Sequence, residues 1–170
     1  GPGRFSSIAF DKNGDPWVGY SEDETGDSVP NAIWVAKYRT SGGNCDTNNG
    51  GSDAWDCTLI EGSNSQDHNS IAFDADGNAW IAYYEGNGDD LSIARYTGGS
   101  GNCPGSSNWQ CTDIDTSGFN GEYATLAFDH SGVPWVSYAP QPSGGDHDLK
   151  IAKLQSPFSA PGSDIGGKFI

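Results

Sequence analysis

Short apolar runs separated by polar turns recur along this chain, and one 14-residue unit of them is written three times. Residues 7–20 read SIAFDKNGDPWVGY, residues 70–83 SIAFDADGNAWIAY and residues 125–138 TLAFDHSGVPWVSY. The matching positions are Phe10, Phe73 and Phe128; Asp11, Asp74 and Asp129; Gly14, Gly77 and Gly132; Trp17, Trp80 and Trp135; Tyr20, Tyr83 and Tyr138. Each copy predicts a hairpin. An apolar strand such as Ile8-Ala9-Phe10 enters a turn in which Asp hydrogen-bonds the backbone two residues on and Gly takes positive φ. A second strand, Trp17-Val18-Gly19-Tyr20 in the first copy, leaves it. A third strand is read at 33–38, 91–96 and 149–154, with Lys37, Arg95 and Lys153 at one equivalent position. A fourth is read at 57–60, 111–114 and 163–165.

A unit repeating at spacings of 63 and 55 residues means a repeat architecture. Strand two is apolar at nearly every position, which requires cover on both faces of its sheet. No helical pattern occurs. The expectation is therefore an all-β fold of three four-stranded antiparallel blades, about 6–62, 69–116 and 124–167, stacked as a β-propeller in one domain spanning 1–170. The motif F-D-x-x-G-x-P-W resembles that of bacterial secreted β-propeller repeats, and more distantly the Asp-box repeat of sialidases and related propellers. This resemblance covers about residues 6–167 and implies blades.

The net charge of −15, from 23 acidic and 8 basic residues, excludes nucleic acid and anionic membranes as partners. No apolar run approaches the length of a membrane span. The Gly1-Pro2-Gly3 start reads as a tag-removal scar, and the absence of Met suggests a piece excised from a longer protein. Four cysteines permit three connectivities. Repeat symmetry favours Cys45 with Cys57 and Cys103 with Cys111, and disulfides imply an extracellular, secreted or periplasmic setting.

Only Arg4, Arg39 and Arg95 could grip a carboxylate, at unrelated points of the repeat. No nucleophile elbow, phosphate loop or Ser/His/Asp set occurs. The chain is thus expected not to be an enzyme but a non-catalytic binding or adhesion module for glycans or another cell-surface ligand. Two alternatives stand beside it: a structural or engineered fragment for blade assembly, and a glycoside hydrolase or lyase using loop carboxylates. Ligand contacts are expected from Trp55, Trp109, Tyr84 and Phe119 as exposed aromatics, whereas Trp17, Trp80 and Trp135 recur with the core pattern and read as inter-blade packing. Solvated loops are expected for His68, His130 and His147. No organic cofactor is expected; Ca²⁺ is the candidate ion, on Asp89, Asp90, Asp146 and Asp148. Three blades would leave two open faces, so a head-to-tail homodimer of about six blades is expected. Its seam is read as Phe10, Trp17, Val18 and Tyr20 against Phe128, Trp135, Val136 and Tyr138, with Ile170 arriving at the partner's first strand.

Overall fold

The computed structural model describes residues 4–22, 32–45, 54–62, 68–140 and 148–153. All of its regular structure is β: β1 (Arg4–Phe10), β2 (Pro16–Glu22), β3 (Ala32–Tyr38), β4 (Trp55–Gly62), β5 (Asn69–Phe73), β6 (Ala79–Glu85), β7 (Asp90–Tyr96), β8 (Trp109–Asp115), β9 (Asn120–Phe128), β10 (Pro134–Pro140) and β11 (Lys150–Lys153). They form antiparallel sheets in the orders β1-β2-β3-β4, β5-β6-β7-β8 and β9-β10-β11. The fourth strand expected for the third blade falls outside the described residues. Strands β1, β5 and β9 touch in succession, so the sheets stack face to face with their first strands gathered together, as propeller blades do.

The hairpin turns follow their chemistry. Asp11 Oδ1 accepts the amides of Asn13 and Asp15, Asp74 Oδ1 those of Asp76 and Asn78, and Asp129 Oδ1 those of Ser131 and Val133. Gly14, Gly77 and Gly132 close these turns at φ 85°, 86° and 76°, where a side chain would be strained. The second carboxylate oxygen has a use that the motif alone does not reveal. Asp74 Oδ2 accepts Trp80 Nε1 at 2.9 Å, and Asp129 Oδ2 accepts Trp135 Nε1 at 3.1 Å. In the first copy burial opposes ionisation of Asp11, the Asn13 and Asp15 amides outweigh it and hold the carboxyl below its ordinary range, and Trp17 Nε1 is buried without a hydrogen-bond partner.

Across the β2–β3, β6–β7 and β10–β11 pairs the repeated cation faces the repeated indole. Trp17 pairs with Lys37, Trp80 with Arg95 and Trp135 with Lys153. The charges lie 4.8, 5.4 and 4.5 Å from the ring centroids, within cation–π range.

Each inter-sheet core repeats one set of contacts. Trp17 meets Phe73 edge-on at 5.6 Å, and Trp80 meets Phe128 at 5.6 Å. Ser7 Oγ accepts the Ile71 amide, and Ser70 Oγ accepts the Leu126 amide, both at 3.0 Å. The Tyr83 hydroxyl donates to Glu61 at the end of β4, and that of Tyr138 donates to Asp115 at the end of β8. Burial of strand two depends on position in the stack. All seven residues of β6 are buried, whereas β2 and β10 alternate. Among the described residues only the middle sheet has neighbours on both faces.

The same logic corrects the expected seam. Trp17 packs inward on the second sheet, Phe128 packs on Trp80, and Val136 and Tyr138 are buried. The apolar groups left open include Ile8 and Phe10 on the first sheet and Trp135 and Ile151 on the third. Cys45–Cys57 and Cys103–Cys111 are disulfides. Asn44 and Asn102, each preceding the first cysteine, accept the amide of the second. Closing such short loops contributes about 2.5–3 kcal/mol each in the chain-entropy model.

Candidate functional site

A cleft of about 500 Å³ lies between sheets one and two at the end of the strands where β3 and β4 part. Its floor is aromatic. Trp17, Tyr96 and Trp109 meet edge to face at 5.4–6.4 Å, each ring locked by the other two. Its rim is polar and comes mostly from sheet one. Lys37 lies over Trp17, Arg39 and Asp56 form an ion pair at 2.6 Å, and Asn44, Thr58 and Asn108 complete the wall. Lys37, Arg39 and Asp56 converge because β3 and β4 pair Lys37 with Asp56 one step before the strands part. Such a cleft, aromatic below and ringed by donors and acceptors, suits a small polar ligand.

The four expected aromatic contacts are placed differently. Trp109 is only 1% exposed and belongs to the cleft floor rather than to the surface. Trp55 is half-buried, edge-on to Tyr38 at 5.4 Å. Tyr84 is buried, and its hydroxyl donates to Asp89. Phe119 is half exposed, in the approach to β9. The structure does not bring these four together. The cleft's polar wall was missed because Arg39, Asn44, Asp56 and Asn108 lie outside the repeated motif. The one available signal was their position beside the strand ends that carry the repeated cation.

Of the expected calcium ligands, Asp89 accepts the Tyr84 hydroxyl and sits at φ 57°. Burial pushes the Asp90 carboxyl up, with Asp113, Glu85 and Asp89 adding to the effect. Asp148 is exposed, and Asp146 lies outside the described residues. Among the described residues no three His, Cys, Asp or Glu side chains are placed to hold a metal ion. His130 is exposed, as expected of a solvated loop, while His147 lies outside the described residues. His68, by contrast, is sandwiched between Phe5 and Tyr123.

No protein-family model matches the sequence, and no curated protein matches it. Among solved structures, the chain is similar to a bifunctional GH43-CE protein of Bacteroides eggerthii, with 17% identity and a TM-score of 0.48, covering 96% of this chain and 19% of that one. It is similar to a GH43 endo-arabinanase from Bacillus licheniformis, with 21% identity and a TM-score of 0.49, covering 96% of this chain and 55% of that one. It is also similar to a fucose lectin from Kordia zhangzhouensis, solved with methyl-fucoside, with 11% identity and a TM-score of 0.47, covering 97% and 95%. The chain thus spans about a fifth and about half the length of the two GH43 structures. The expectation that it is not an enzyme is corrected here. GH43 glycoside hydrolases stand among its structural neighbours.

Proposed function

We propose that this chain is a glycan-binding β-propeller unit that works outside the cell, with the cleft between sheets one and two as its sugar site. The observation that carries this reading is the cleft's make-up, a locked aromatic floor under a rim holding an Arg39–Asp56 pair. A carboxylate accepts and a guanidinium donates side by side, which matches a vicinal diol, each hydroxyl being both donor and acceptor. The volume suits a mono- or disaccharide. The two disulfides support the location. Titration calorimetry with neutral methyl glycosides and short oligosaccharides tests the site. Binding should weaken about tenfold in both Arg39→Ala and Asp56→Ala, as expected for loss of a hydrogen bond to a charged group. No binding by any neutral glycan, or binding indifferent to both changes, removes the reading. A calcium role for Asp89 and Asp90 predicts weaker binding or a lower melting temperature in EDTA; identical curves remove it. Reducing-end assays on the same mixtures test for hydrolysis.

We also propose that a second copy closes the stack into about six blades. What supports this is that the open faces carry the two halves of the internal contact. Trp135 awaits a partner such as Phe10, and Thr125 and Ile8 occupy the positions that Ser7 and Ile71 fill inside. Light scattering at micromolar concentration should give twice the chain mass, and a stable monomer ends the proposal.

A further inference from the structure

At the opposite end of the strands from the cleft, three bulky residues occupy one position of the repeat in a conformation they ordinarily avoid. Phe5, His68 and Tyr123 each precede by two residues the Ser or Thr that opens the repeated unit. Their φ values are 48°, 48° and 55°, in the left-handed region that favours glycine. The chain has 25 glycines and places none here. What the three share is a flat ring, and the rings meet in succession, tilted by 48° and 46°. Phe5 and His68 lie 4.4 Å apart between centroids, and His68 and Tyr123 4.1 Å. The strained backbone is held from the neighbouring sheet: Asn69 Nδ2 donates to the Phe5 carbonyl, and Asn69 Oδ1 accepts the Ser7 hydroxyl.

The positive φ of Phe5 and Tyr123 falls where the register of β1 on β2 and of β9 on β10 shifts, but neither a bulge nor core burial calls for a ring there. Phe5 is 41% and Tyr123 61% exposed, and His68 Nδ1 is buried without a hydrogen-bond partner. Strain that persists at equivalent positions without burial in return points to use by a ligand. We propose that Phe5, His68 and Tyr123 form an aromatic collar, beside the gathered first strands, that stacks on the apolar face of a neutral pyranose. The exposed Phe5 and Tyr123 rings suit the C–H face of a sugar. The net charge of −15 disfavours anionic ligands there. The ligand class rests on the glycan reading above, but the site is separate from the cleft.

The test is an NMR titration of the intact chain with methyl β-galactopyranoside, whose one face is largely C–H. Wild type, Tyr123→Gly and Arg39→Ala are compared. The expected result is that the His68 and Tyr123 ring signals shift in wild type and in Arg39→Ala. In Tyr123→Gly the His68 shift is lost, while the melting temperature holds or rises because glycine relieves the φ. Shifts confined to Trp17, Tyr96 and Trp109 overturn the collar and leave the cleft standing. Shifts confined to the collar do the reverse, and none anywhere overturn both. A Tyr123→Gly chain that keeps the His68 shift, or that changes from dimer to monomer by light scattering, also overturns the collar as a sugar site; in the second case the ring's occupant is the second copy.

Discussion

Replacing Trp80 by alanine is expected to destabilise the protein by about 3–5 kcal/mol, the usual range for removing a buried aromatic. The residue is 1% exposed. Its loss would open a cavity between sheets two and three, where Phe128 now meets it edge-on. It would also remove the indole donor from Asp74 and the ring beneath Arg95. Total stabilities run to about 5–15 kcal/mol, so this one change consumes a large fraction. The equivalent Trp135 is 37% exposed and keeps the same Asp and cation contacts. Trp135→Ala should therefore cost far less, about 1 kcal/mol, in dilute monomer. Urea denaturation of both variants checks the pair. Equal losses would mean that Trp135 is covered in solution, and would turn attention to the second copy.

Asp115→Ala is expected to cost about 2–3 kcal/mol at neutral pH, with the loss shrinking in acid. One carboxylate oxygen accepts the Tyr138 hydroxyl at 2.7 Å and the Lys150 ammonium at 3.0 Å; the other accepts the amide and hydroxyl of Ser117. Burial opposes ionisation, but these donors outweigh it and hold the carboxyl well below its ordinary range. A carboxylate with a depressed folded-state pKa adds stability that is fully present above its unfolded value, near 3.8, and is lost as pH falls below that. Glu61 works in the opposite sense. Burial first, and then Glu85 and Asp113, push its carboxyl up despite the Tyr83 hydrogen bond. It therefore costs stability at neutral pH, and acid relieves that cost. Denaturation at pH 7 and pH 3 should show a wide gap between wild type and Asp115→Ala at the first and a narrower one at the second. An equal gap at both would mean that the carboxylate's charge does no stabilising.

The hairpins were legible because their causes are local. An Asp that bonds amides two and four residues on, and a Gly at positive φ, need no distant partner. The disulfide pairing was legible because repeat symmetry selects one connectivity among three. Burial was read less well. Continuous apolarity in strand two suggested the same environment in every copy, but only β6 has a sheet on each face. Trp109 reads from sequence as a freer ring because it lies beside the Cys103–Cys111 disulfide, yet Trp17 and Tyr96 close over it.

The sequence by itself therefore determined the repeat, its strands, its turns and its cystine loops, because hydrogen bonds within a few residues and a two-residue side-chain period specify them. The tertiary structure alone decided which rings face water, that Arg39 and Asp56 meet beside an aromatic floor, and that Phe5, His68 and Tyr123 stack. Those contacts join residues 17, 55 and 63 positions apart, or sheets that touch only after the hairpins have formed. Nothing in the local pattern encodes the angle at which one sheet settles on the next.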